Sequence, residues 1–307
     1  KKIFKYNFYK KNFKNFQKKM HFLVVEDILY VADNLGYLYS INLKAKSLIW
    51  AKNYGIPFRS NLKSVDGQIF LANQDNVIYS INILTGNKNW QFATTLAFLK
   101  NNFINNFALD KVKNNLLFLN TSGEMYSINY LNQKINWVLN FKTPSLSSND
   151  FGLFSSQPIL IKKNNFVITT EKSILSYNLV TISQNWSFPI ESILKPIITN
   201  DYIFIISKNN LLICLNNKNG EVVWSKDISN NLNNINLKKL GEFYDFKIVN
   251  NEINLYSKNG YLLSFSFLNG KKNYLNKISN KGISSKVFFI NDYMYLIDKS
   301  NKLLKYD

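Results

Sequence analysis

Acid–base, metal or nucleophilic chemistry needs reactive side chains that the chain can bring together, and this sequence offers few. His21 is the only histidine and Cys214 the only cysteine of 307 residues. A histidine cluster and a Cys/His zinc site are thereby excluded, because a structural zinc takes four such ligands. A Ser-His-Asp apparatus would rest on His21 alone, in a segment (10–21) that reads as a linker. Glu26, Asp27, Asp66, Asp75, Asp110, Glu171, Asp201 and Asp292 lie mostly in or beside turns, where solvated carboxylates are expected. No spacing among them makes a glycosidase pair, and neither GxGxxG nor a Walker sequence occurs. The expectation is a chain without catalytic residues, metal ligands or a cofactor.

The charge gives little more. The formal net charge is +19, from 38 basic and 19 acidic residues, a balance that ordinarily points to nucleic acid or an anionic membrane. Almost all of the excess is lysine, and Asn, Ile, Phe and Tyr are abundant with it, the bias an AT-rich genome imposes on any surface. Arg59 is the only arginine, whereas phosphate and guanine recognition rest on arginine's planar fork. Nucleic acid is therefore not expected as a partner. Residues 1–19 carry eight lysines and no acid, interleaved with aromatics, and read as a closing strand followed by a lysine-rich loop. Cys214, without a partner for an intrachain disulfide, is expected as a small buried hydrophobe.

What must position any site is a repeat. The stretch IYSINILTGNKNW, ending at Trp90, returns as LYSINLKAKSLIW ending at Trp50, MYSINYLNQKINW at Trp137, ILSYNLVTISQNW at Trp186, LICLNNKNGEVVW at Trp224 and LLSFSFLNGKKNY at Tyr274. The terminal aromatics lie 40, 47, 49, 38 and 50 residues apart, so the unit is fixed inside and elastic between copies, as when insertions are confined to loops. A short apolar run and a polar turn precede each copy. Together they read as a meander of about four short strands per unit.

The expected fold class is therefore all-β: a β-propeller of four-stranded antiparallel blades, seven rather than eight, since seven gives about 44 residues per blade. Blades 1 to 6 are expected over 22–52, 53–92, 93–141, 142–188, 189–228 and 229–276. Blade 7, over 277–307, ends after three strands. The segment Ile3–Tyr9 (strand 1–9) is expected to close the propeller by pairing with that blade, covering an edge that would otherwise stand open. The whole chain reads as one domain, 1–307. Trp50, Trp90, Trp137, Trp186, Trp224 and Tyr274 are structural blade aromatics that fill the wedge between sheets. Gly86, Gly220 and Gly270 suit a turn with positive φ; Lys46, Gln133 and Ile182 stand in their place elsewhere, implying a different turn or local strain.

Two insertions stand apart. Residues 143–157, TPSLSSNDFGLFSSQ, mix small polar residues with Leu146, Phe151, Leu153 and Phe154, the composition of a contact loop; residues 151–154 read equally well as the inner strand of blade 4. Residues 230–240, NNLNNINLKKL, read as a mobile loop. No apolar run is long enough for a membrane-spanning helix, and no signal peptide follows Lys1–Lys2.

The series SINILTGNKNW and CLNNKNGEVVW resembles the repeat of quinoprotein-like propellers, over nearly the whole chain. Within that group the single-domain length is most similar to the BamB family of outer-membrane assembly lipoproteins, whose usual member has eight blades. That resemblance implies a non-enzymatic periplasmic scaffold, held at the outer membrane by an N-terminal lipid. The implied partner is the periplasmic part of the barrel subunit of the assembly machinery. It also implies a partner-binding loop in mid-chain, matched here by Pro144, Leu146 and Ser147, with Phe151 added from the composition of the same loop; the family's arginine has no counterpart. The enzymatic relatives are quinone-dependent dehydrogenases, which use an acidic base, calcium and often adjacent cysteines. A general protein-interaction propeller or binder of anionic surfaces is the remaining alternative.

Overall fold

The computed structural model of the chain describes residues 16–96, 104–142, 154–232, 235–290, 292–300 and 302–306. The strand expected over Ile3–Tyr9 lies outside them. Within them the chain is all-β apart from one short 3-10 turn and a single helical turn, and its strands form seven meanders.

Sheet 1 comprises Met20–Val25, Ile28–Asp33, Tyr37–Asn42 and Ser47–Asn53, and sheet 2 Lys63–Val65, Gln68–Ala72, Val77–Asn82 and Lys88–Ala93. Sheet 3 is Asn106–Asp110, Asn115–Leu119, Glu124–Asn129 and Ile135–Asn140. Sheet 4 is Leu160–Lys162, Asn165–Thr169, Ile174–Asn178 and Gln184–Phe188. Sheet 5 is Ile197–Ile198, Tyr202–Ile206, Leu211–Asn216 and Val222–Asp227, and sheet 6 Phe243–Val249, Glu252–Ser257, Tyr261–Ser266 and Lys272–Lys277. Sheet 7 has three described strands, Phe288–Ile290, Tyr293–Ile297 and Leu303–Tyr306. These are the blades of a seven-bladed β-propeller. The backbone divides into two compact units, residues 1–161 and 162–307.

The second strands of sheets 1 to 5 are largely apolar because both of their faces are covered; Ile69, Phe70, Leu71 and Ala72 are all fully buried. The outermost strands alternate instead, as in Ser47–Asn53, with one face turned to water. The core lies between neighbouring sheets. In the first unit Tyr30, Leu38, Phe58, Ile69 and Tyr79 join sheets 1 and 2, and Phe70, Phe107, Phe118 and Tyr130 join sheets 2 and 3. In the second unit Phe204, Leu212, Phe246 and Phe265 join sheets 5 and 6, and Tyr256, Leu262, Met294 and Leu296 join sheets 6 and 7.

The repeat motif has a register to match. Trp50 pairs with Ser40, Trp90 with Ser80, Trp137 with Ser127, Trp186 with Ser176, Trp224 with Cys214 and Tyr274 with Ser264. The partner is always small and buried, which leaves room for the aromatic on the shared face. One residue further on, every one of these pairings carries a bulge, which sharpens the twist of the outer strand. The recurring Asn has a local role: Asn82 Oδ1 accepts from the N–H groups of Leu84 and Thr85, and Asn129 and Asn178 repeat this with Leu131 and Asn132, Val180 and Thr181. Such an Asx turn folds the chain back without help from the sheet.

Three expectations are corrected. His21 is not in a linker: it belongs to the first strand of sheet 1, paired with Ala32. The inner strand of blade 4 is Leu160–Lys162, with Phe154 outside any strand and packed beside Gly123. In 230–240 the described residues are not a loose loop. Asn236 caps a helical turn over Leu237–Leu240, Leu232 and Leu240 are buried in the core between sheets 5 and 6, and Ile235 packs against it; these three apolar residues outweigh the polar composition around them.

Candidate functional site

Trp50, Trp90, Trp186, Trp224 and Tyr274 pack across sheet boundaries. The Trp50 indole donates to Ile83 O at 3.3 Å and the Trp186 indole to Asn217 O at 3.0 Å, each reaching the next sheet. Against the same indoles lie Gly86 and Gly220, and Gly270 lies against Trp224; a Cβ built on any of the three would come within 2.6 Å of ring carbon. Their φ values are 68°, 74° and 66°. Of the two alternatives expected for Lys46, Gln133 and Ile182, a different turn or local strain, the structure has the strain: their φ values are 56°, 64° and 57°. Gln133 and Ile182 also donate to Asn129 O and Asn178 O as Gly86 does to Asn82 O. The hydrogen-bonded loop dictates the left-handed residue, and the side chain is carried at a cost in strain. Beside Gln133 a cavity of about 370 Å³ lies open along Trp90, Tyr130 and Asp66.

The one concentration of unusual side chains was missed in the sequence. His21 and Arg59, each the only residue of its type, line with Lys19 a pocket of about 210 Å³ completed by Gln17, Asn34, Phe58 and Ile104. The Arg59 segment is fixed by three sheets: Phe58 N donates to Asp33 O, Arg59 N to Ala72 O, and Arg59 O accepts from Asn105 N. Burial lowers the His21 pKa, and the cations Lys19 and Arg59 lower it further. No carboxylate lines the pocket among the described residues. The arrangement is a basic recess around a neutral imidazole, able to hold a small anion and lacking an acid–base pair. The rarity of both residue types was the one signal in the sequence, and their meeting depends on long-range pairing.

Pro144, Leu146, Ser147 and Phe151 lie outside the described residues. Cys214 is buried, at 1 % exposure, and its thiol pKa is pushed up to about 12 by that burial, so it is a core residue. Among the described residues no three His, Cys, Asp or Glu side chains gather to hold a metal ion. No described helix is long and apolar enough to cross a membrane.

Blade register, tryptophan packing and turn geometry together define a β-propeller built from quinoprotein-like repeats. The family model described as outer membrane protein assembly factor BamB matches residues 12–226, well over half of the chain, and the chain belongs to that family. No curated protein matches it in sequence. Among solved structures it is similar to BamB from Moraxella catarrhalis, with a TM-score of 0.72 and 13 % identity over 91 % of this chain and 81 % of that one. It is also similar to the computationally designed Ika8 protein, with a TM-score of 0.55 and 9 % identity over 95 % and 97 %. At such identities the likeness is one of fold.

Proposed function

We propose that this chain is a non-enzymatic scaffold that assists the assembly and insertion of outer-membrane β-barrel proteins, working in the periplasm at the outer membrane. The observation that carries the reading is the family match over residues 12–226, which takes in the blades on both sides of the 143–157 loop. The partner is the outer-membrane assembly machinery, engaged through the periplasmic domains of its barrel subunit, and a lipid attached upstream of this sequence supplies the membrane anchor. Pro144, Leu146, Ser147 and Phe151 are the contact residues this reading assigns, because a sequence that sets large apolar residues among small polar ones has the composition of a protein contact surface.

Affinity capture from native envelopes tests it. Recovery of the barrel-assembly subunit is the expected result, and Leu146→Asp is expected to reduce that recovery while leaving the thermal midpoint unchanged. Capture of no assembly component, together with a cytoplasmic location of the native protein, overturns the reading.

A further inference from the structure

Sheet 6 departs from the repeat at positions that face one another. In the first five sheets the residue opposite the small Ser or Cys is Tyr30, Phe70, Leu117, Val167 or Phe204, each with an apolar body. In sheet 6 it is Asn254, paired with Ser264, and the tryptophan that would cross Ser264 is Tyr274. Two residues further on, where the other sheets have Ala32, Ala72, Leu119, Thr169 and Ile206, stands Tyr256. Packing in the other blades is met without these polar groups.

Glu252, Asn254 and Tyr256 alternate along one strand and so share a face. The Glu252 carboxylate is occupied: it accepts from Ser264 Oγ at 2.8 Å, Asn273 Nδ2 at 2.8 Å and Tyr274 Oη at 3.2 Å. Asn254 Oδ1 and Tyr256 Oη are buried and have no hydrogen-bond partner among the described residues, although Asn254 is only 7 % exposed and Tyr256 fully buried. Buried polar groups are nearly always paired, so two orphans on one face call for an explanation. Both residues line a cavity of about 760 Å³ whose opposite wall is Phe289 and Met294 of sheet 7.

We propose that this cavity binds an extended peptide, one residue of which gives its N–H to Asn254 Oδ1 and accepts the Tyr256 hydroxyl on its C=O. An extended residue presents its own N–H and C=O on one edge, as in a hydrogen-bonded strand pair, and this is the complement of one acceptor beside one donor. No anion is called for at this point, because the Lys247 ammonium that also lines the cavity is paired with Asp245 at 3.3 Å and the other charged groups of the lining, Glu252 and Asp292, are carboxylates. Saccharide hydroxyls would satisfy the same two atoms. The peptide is favoured by Phe289 on the wall, which lines the cavity, is 40 % exposed and would be covered by a side chain of an extended partner.

The protein contains three methionines, and Met294 lines the cavity, while Met20 and Met125 lie in sheets 1 and 3. The full chain labelled with 13C-methyl methionine is titrated with N-acetyl-phenylalaninamide, with methyl 3-phenylpropanoate as a probe lacking N–H, and with maltose. The expected result is a saturable shift of Met294 by the amide with Met20 and Met125 unmoved, and binding weakened about fivefold in the ester, in Asn254→Leu and in Tyr256→Phe. An unmoved Met294, tighter binding of maltose than of the amide, or wild-type affinity in both variants overturns the proposal. Tyr256→Phe removes one oxygen that has no partner, so its fold is retained and the Met20 and Met125 signals report it. The titration uses the isolated chain and goes beyond the role in assembly, so either reading can fail without the other.

Discussion

Trp186 gives its indole N–H to the carbonyl of Asn217 at 3.0 Å, and Gly220, three residues along the same loop, lies against the face of that indole. One turn thus grips the tryptophan of the preceding sheet from two sides. Both grips depend on the left-handed residue: Gly220 N closes the loop on Asn216 O at 2.9 Å, and its φ of 74° carries the backbone over the ring. Gly86 with Trp50 and Gly270 with Trp224 repeat the contact.

Glycine is required twice at these positions, for φ and for space. Gly220→Ala is expected to lower stability by about 3 kcal/mol, combining left-handed strain with overpacking against the indole. Equilibrium urea unfolding measures it, and an unchanged midpoint would show that the indole can slide aside.

Gln133 holds the same loop position at φ 64° and is exposed. Gln133→Gly relieves the strain but adds freedom to the unfolded chain, leaving an expected gain of about 0.5 to 1 kcal/mol. A shift of the urea midpoint to higher concentration at constant slope checks it.

The indoles are not equivalent. Trp224 Nε1 is buried without a hydrogen-bond partner, whereas Trp186 Nε1 has Asn217 O. Replacing each by Phe deletes similar volume, but only Trp186→Phe forfeits a bond and strands a buried carbonyl. Trp186→Phe is expected to be the more destabilising by about 1 to 2 kcal/mol. Equal losses in thermal unfolding would show that the bond contributes nothing.

The blades were legible because sheets 1 to 6 repeat three local rules that lie within thirteen residues: a small residue opposite the aromatic, an Asn (Ser266 in sheet 6) that folds the turn, and a left-handed residue four positions after it. Six copies of such a pattern outweigh any single irregularity, so the second, third and outer strands of sheets 1 to 6 and the three of sheet 7 fall where alternation and turn residues put them. The short inner strands were harder. Ile197–Ile198 and Lys63–Val65 carry too few residues to show a period, and His21 reads as linker because it adjoins the lysine-rich run before it. Nothing local could bring His21, Lys19 and Arg59 into one pocket, since that juxtaposition is set by bonds from Phe58, Arg59 and Asn105 across three sheets. The orphaned pair Asn254 and Tyr256 was visible only as a departure from the repeat, and its meaning needed the hydrogen-bond count that a sequence lacks.

Cys214 takes the place of the repeat serine opposite Trp224. Burial pushes its thiol up to about 12, so the nucleophilic thiolate is scarce at neutral pH and shielded besides. The native protein is expected not to react with a thiol-specific disulfide reagent at pH 8, and to take up one equivalent once unfolded in guanidinium. Rapid labelling of the native chain would place Cys214 outside the core.

His21, as the only histidine, gives a single imidazole signal in NMR, and burial beside Lys19 and Arg59 holds its pKa below the ordinary 6.5. The native state therefore keeps the ring neutral at a pH where the unfolded chain already binds a proton. Above 6.5 both states are neutral and the residue adds no pH dependence. Below 6.5 the unfolded state gains the proton first, so stability falls with falling pH until the native ring also titrates. His21→Gln is expected to flatten that part of the stability profile between pH 6.5 and the native pKa, and the imidazole of the wild-type protein to titrate below 6.5. A native pKa above 6.5 would mean that an anion occupies the basic pocket and stabilises the imidazolium, reversing the slope.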